Sequence, residues 1–150
     1  GCGCLLLEVQ EPTDFTIQPE RWCGDYRLSD EEMYLGLSRE ESLECFDMNK
    51  RYPAPLTPKI ISDENGVKYE AIIDETITTS FAVRTVTVEG GKFILSKGAA
   101  VYVVTEGEGS VIGENYNREL KKGDYFLLPE NAKDKYSLTG NYIKVTECFA

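Results

Sequence analysis

The 150 residues contain no histidine. No Ser-His-Asp triad, Cys-His pair or histidine-ligated zinc can be assembled from this chain alone. Five cysteines remain, Cys2, Cys4, Cys23, Cys45 and Cys148, an odd number with no CxxC pair. Cys2 and Cys4 are spaced CxC, a weak metal signal without other ligands nearby. The pattern reads as reduced thiols rather than a disulfide framework, which carries the expectation of a cytoplasmic protein. Glu8 is the sole charge in an apolar run and needs a partner if that run is buried. Asp14 follows Pro12 and suits the cap of a turn. Trp22, Cys23 and Tyr26 could form a sugar-stacking platform, though such aromatics more often pack a helix onto a barrel. Gly107, Gly109 and Gly113 lack the following helix and Lys-Ser/Thr of a phosphate loop. Arg118, Lys121 and Lys122 form a small basic cluster that reads as solvated.

The charge balance sets outer limits. Acidic residues number 26 and basic residues 16, a formal charge of −10. That opposes a nucleic-acid surface or an anionic membrane surface, both of which call for a basic patch, while leaving room for a local basic pocket. No apolar run approaches the roughly 20 residues of a membrane span, and no signal-peptide pattern is read. The length corresponds to one domain with enough core to need no metal or disulfide staple. The chain opens Gly1-Cys2-Gly3-Cys4 without an initiator methionine and runs straight into an apolar stretch. A strand starting there wants a neighbour to pair with, so the sequence is expected to be cut from a longer polypeptide.

Several elements must position these side chains. Residues 4–10 read as a buried strand, residues 11–14 as a turn, and residues 15–18 as a strand stopped by Pro19. Ser29-Asp30-Glu31-Glu32 is a capping box that opens a helix through Leu37, and Ser38-Arg39-Glu40-Glu41 repeats it for a second helix. Tyr52 to Pro58 holds three prolines and reads as extended linker. Everything beyond residue 58 reads as β. Asn65-Gly66 marks a hairpin. Strands are expected over residues 81–89, 92–96, 99–105, 110–112, 125–128 and 142–146, with Glu106-Gly107-Glu108-Gly109 as a tight turn. Short strands at this spacing suggest a sandwich or barrel.

The C-terminal half has a familiar cadence. Val101-Tyr102-Val103-Val104, Glu106-Gly107-Glu108-Gly109, Leu120-Lys121-Lys122-Gly123-Asp124 and Phe126-Leu127-Leu128-Pro129 together resemble the cupin barrel family. Gly123 and Pro129 fit the second cupin motif, glycine starting the strand and proline ending it. Metal-binding cupins place a histidine where Asp134 stands and an HxH in the first motif, so the barrel resembles a cupin that has lost its metal. The stretch from Gly1 through Glu8-Val9-Gln10-Glu11-Pro12-Thr13-Asp14 to Ile17 resembles class I mannose-6-phosphate isomerases. These are zinc enzymes that interconvert mannose 6-phosphate and fructose 6-phosphate.

That resemblance implies a mainly β, RmlC-like double-stranded β-helix or jelly-roll barrel with a short helical segment. Residues 1–58 would end the catalytic-domain sheet and add the helices; residues 59–150 would be a metal-free C-terminal cupin-like barrel. The zinc ligands would lie upstream, leaving the chain inactive alone and without cofactor of its own. A sugar phosphate would be the ligand of the parent, and barrel edges suit homodimerisation. Asp14 matches a family aspartate near the active site, where a carboxylate can orient a hydroxyl or a proton carrier. Gln18 stands where the family has an arginine, with a neutral amide in place of a fixed cation. Arg21 could reach back to compensate. Glu8 matches a family glutamate, either a satisfied structural acid or a group backing the site. The alternative is a catalytically degenerate cupin that binds a phosphosugar or serves as a structural or dimerisation module.

Overall fold

The computed structural model describes residues 5–10, 16–46, 48, 49 and 54–150. It divides into two units, residues 10–55 and residues 56–150 together with 1–9. Among the described residues no helix is long and apolar enough to cross a membrane.

In the smaller unit both capping boxes form as the sequence dictates. α1 spans Asp30–Tyr34 and α2 spans Arg39–Glu44. The Glu32 N–H donates to Ser29 Oγ at 3.3 Å and the Ser29 N–H to Glu32 Oε2 at 2.8 Å. The Ser38–Glu41 pair repeats this at 3.2 and 2.9 Å. α1 ends three residues before Leu37, because Leu35 takes a left-handed conformation and donates its N–H to the Glu31 carbonyl. A two-residue ladder not anticipated from the sequence pairs β1 (Trp22–Cys23) with β2 (Tyr26–Arg27) across Gly24. Trp22 and Tyr26 are exposed rather than core, and the Tyr26 hydroxyl donates to Glu32 Oε1 of α1 at 3.0 Å.

The apolar start is also corrected. Residues 5–10 form no strand, Leu5, Leu6 and Leu7 are exposed, and Glu8 is exposed rather than buried among them. Residues 16–18 form no strand either. Composition sets strand propensity, but a strand needs a partner ladder. The turn expected at residues 11–14 lies outside the described residues.

Among the described residues of the larger unit the regular elements are β-strands and one 3-10 turn at Glu130–Ala132. β3 (Lys59–Glu64) and β4 (Val67–Ile73) form the hairpin. Its turn works because Asn65 and Gly66 both take positive φ, 53° and 71°, the primed geometry that matches strand twist. β5 (Ala82–Val88), β6 (Lys92–Ile94), β7 (Ala100–Gly113), β8 (Tyr116–Lys121), β9 (Tyr125–Leu128) and β10 (Ser137–Phe149) follow.

β7 and β10 run antiparallel through the whole fold and serve both of its layers. The C-terminal part of β10 lies between β5 and the start of β7, which in turn pairs β9. The N-terminal part of β10 lies between β6 and the end of β7, which in turn pairs β8. The register shifts between Thr139 and Tyr142 and between Lys144 and Val145. The glycines of residues 106–109, expected as a turn, instead sit inside one continuous strand at this crossing. Gly107 has φ +70°, and a Cβ there would lie 2.2 Å from the Tyr142 carbonyl oxygen; a Cβ on Gly109 would lie 2.4 Å from that of Thr139. Only glycine lets the two backbones approach this closely. Between the layers lies one core of Val86, Val88, Leu95, Ala100, Tyr102, Val104, Val111, Leu120, Leu128, Leu138, Ile143 and Val145, joined by Tyr69. This is the expected jelly-roll barrel.

Candidate functional site

Pairing register brings one row of unlike side chains together inside the barrel. Ala71 on β4, Arg84 on β5, Glu147 on β10, Tyr102 on β7 and Phe126 on β9 are successive cross-strand partners. Directly opposed residues share a face, and this face is the inner one: Val86 and Val88 continue it on β5, Ile143 and Val145 on β10. Tyr69 and Phe149, two residues along their strands from Ala71 and Glu147, join the same face. The row therefore places a carboxyl and a guanidinium where the pattern otherwise places valine and isoleucine.

Glu147 is fully buried. Tyr69 donates its hydroxyl proton to Glu147 Oε1 and accepts from Arg84 Nη1 at 2.8 Å. Tyr102, also fully buried, donates to the Lys97 carbonyl at 3.1 Å and so ties down the loop between β6 and β7. Its ring stacks on Phe126 with centroids 5.0 Å apart. Arg84 lies over the rings of Tyr69 and Phe149, at 5.4 and 5.0 Å, and the Lys97 ammonium lies 5.3 Å from the centroid of the same Phe149 ring. Two buried polar atoms lack a hydrogen-bond partner among the described residues, Arg84 Nε and Glu147 Oε2.

Burial pushes the Glu147 carboxyl above its ordinary value, against the lowering effect of the tyrosine hydroxyls and of Arg84 and Lys97. Burial, and next the Glu147 carboxyl, push the Tyr69 and Tyr102 hydroxyls up as well, so both stay protonated donors at neutral pH. Cys148, the neighbour of Glu147, has its thiol raised by burial, the opposite of a reactive thiolate. The cluster offers cationic and neutral donors around one buried acid. It contains no activated nucleophile.

Glu8 and Gln18, expected from the sequence as site residues, belong to no strand of this row. Asp14 lies outside the described residues. Gln18 is half-buried in the smaller unit, where its backbone N–H donates to the Met33 carbonyl at 2.9 Å. Its neighbours Ile17 and Pro19 line a pocket of about 350 Å³ with Arg21, Met33, Tyr34, Arg39 and Leu43. Arg21 is held by Asp30 at 2.6 Å. Arg118, Lys121 and Lys122 are exposed, as expected. Asp134, at the cupin histidine position, is exposed with φ +64°, and its N–H donates to the Leu95 carbonyl.

The interior row was missed in the sequence, although a signal was there. Ile143, Val145 and Glu147 alternate on one face, as do Arg84, Val86 and Val88, so each strand carries one charge in its inward register. Among the described residues no three His, Cys, Asp or Glu side chains converge, and the one acid inside the barrel faces two cations. The zinc that the isomerase resemblance implies does not fit this donor set.

Comparison with known proteins agrees with the barrel. Residues 73–146 match the family described as the mannose-6-phosphate isomerase cupin domain. The fold is similar to that of mannose 6-phosphate isomerase from Bacillus subtilis, with TM-score 0.62 and 18% identity over 83% of this chain. The present chain spans 38% of the length of that enzyme. The polyketide cyclase RemF from Streptomyces resistomycificus matches with TM-score 0.52 and 12% identity over 66% of this chain and 78% of its own. An RmlC-like cupin from Shewanella frigidimarina gives 0.49 and 18%, over 61% and 82%. No curated protein matches the sequence.

Proposed function

With residues 73–146 a cupin domain of the mannose-6-phosphate isomerase type, we propose that this chain is the C-terminal part of a longer aldose–ketose isomerase. That enzyme would interconvert mannose 6-phosphate and fructose 6-phosphate. The observation that carries the reading is the family match on the barrel, joined by the resemblance of residues 1–17 to a stretch of the same enzymes. The zinc belongs, on this reading, to the polypeptide preceding residue 1, because no three candidate ligands converge among the described residues. The chain alone is inactive, and its barrel serves the enzyme as a metal-free scaffold whose interior is filled by side chains. Isomerisation moves a proton between adjacent sugar carbons and needs a positioned base; Asp14 is the residue of this chain proposed nearest to that step.

Gln18 favours a second reading, a phosphosugar-binding module that does not turn its ligand over. A neutral amide in the family's arginine position withholds the fixed cation that would stabilise a developing oxyanion. A coupled assay of the longer, zinc-loaded protein separates the two readings.

A further inference from the structure

We infer that the cavity lined by β7, β8, β9 and the 3-10 turn is a binding site for a small aromatic carboxylate, with Arg118 as its counter-charge. The cavity measures about 470 Å³. Val111 and Leu128 bring it against the barrel core, and the rings of Tyr116, Phe126 and Tyr136 wall it. Those rings are held in place. Phe126 stacks on the fully buried Tyr102, with centroids 5.0 Å apart, and Tyr116 meets Tyr136 edge to face at 5.5 Å. Gly113 makes room for the Tyr136 ring, since a Cβ there would lie 2.6 Å from Tyr136 Cδ1. Among the described residues, Arg118 is the one charged side chain that lines the cavity. Register puts it on the inner face of β8, directly opposite Val111, whereas Lys121 falls on the outer face opposite Glu108. The two cations that the sequence grouped as one solvated cluster are therefore on opposite sides of the sheet. The Arg118 guanidinium has no hydrogen bond or ion pair among the described residues.

Walls and cation together define the ligand. Ordered rings with a single cation favour an apolar, flat body that carries one negative group. A carboxylate accepts two N–H groups of one guanidinium at once. A phosphorylated sugar suits the cavity poorly, because its hydroxyls would lose water against apolar walls. The volume holds roughly 10–15 non-hydrogen atoms, the size of a one- or two-ring acid. The inference holds whether or not the longer protein isomerises sugars, since it concerns residues of the barrel alone.

The test is titration of the full chain with 2-naphthoate, read by NMR at the methyl groups of Val111, Leu128 and Ala132, which line the cavity. Saturable shifts at these methyls are expected. 2-Naphthylmethanol has the same rings without the charge and should bind roughly ten- to a hundredfold more weakly. Arg118→Gln, at an exposed position, should fold as the wild type does, weaken 2-naphthoate by the same factor and leave the alcohol unaffected. Arg118→Lys should keep part of the affinity. The same titration of the longer protein should give the same binding; its loss there would mean that the preceding polypeptide fills the cavity, and would overturn the inference. So would an absence of saturable shifts in the wild type, shifts confined to other methyls, equal binding of acid and alcohol, or equal binding by Arg118→Gln.

Discussion

Arg84 and Glu147 face each other across β5 and β10 without forming an ion pair; the hydroxyl of Tyr69, from β4, stands between them. It accepts from the guanidinium and donates to the carboxyl, so one neutral hydroxyl links the two groups. A buried ion pair must repay a large desolvation cost with direct contact. Here that contact is replaced by a relay, and the acid is left in a setting that favours its protonated form.

Removing the relay exposes both partners to that cost. Tyr69→Phe keeps the ring beneath Arg84 but leaves Nη1 without its acceptor and Glu147 Oε1 without this donor. The expected loss of stability is about 1–3 kcal/mol, read as a fall in urea midpoint at unchanged slope. An unchanged midpoint would mean that the hydroxyl does not satisfy these groups.

The raised Glu147 pKa has a signed consequence. Between the ordinary glutamate value, 4.5, and the raised folded value, the folded state holds the proton more tightly than the unfolded chain. The contribution of this group is therefore fully present below 4.5 and is lost as pH rises through the folded value. Glu147→Gln cannot titrate, so the difference in stability between variant and wild type should widen in the variant's favour from pH 4.5 upward. A difference independent of pH would show that Glu147 is not perturbed.

Two glycines with positive φ should respond unequally to alanine. Gly123 has φ +93° with nothing within 4 Å of its absent Cβ, so Gly123→Ala should cost only the left-handed backbone term, about 1–2 kcal/mol. Gly107→Ala adds a collision with the Tyr142 carbonyl at the strand crossing, and should cost about 3 kcal/mol or more. Chemical denaturation of both variants checks the ranking; equal costs would mean that β7 and β10 do not cross as described.

The two capping boxes share no partner. Ser29→Ala and Ser38→Ala should each cost about 1 kcal/mol, nearly additively. The loss should appear as faster amide exchange over residues 29–44, with the barrel amides unchanged.

What the sequence made legible was local. Asn65-Gly66 and the two Ser-x-x-Glu boxes specify their geometry within four residues, and the Gly123-to-Pro129 spacing delimits β9 at both ends. Residues 5–10 have the composition of a buried strand, but no ladder follows from composition, and Glu8 is exposed. The glycines at 106–109 carry a turn signature, and their actual use depends on β10, some thirty residues away in sequence. The interior row was hidden for the same reason: Arg84, Tyr102 and Glu147 sit on three strands, and only register aligns them. Of the candidate residues taken from family resemblance, Glu8 and Gln18 belong to no strand of that row, and Asp14 lies outside the described residues.

The most direct measurement is a coupled assay of mannose 6-phosphate conversion to fructose 6-phosphate, run on the zinc-loaded longer protein and on this chain alone. The account predicts turnover by the longer protein, none by the 150-residue chain, and no stoichiometric zinc on the chain. Turnover by the chain alone, or no turnover by the longer protein with zinc confirmed bound, would contradict it.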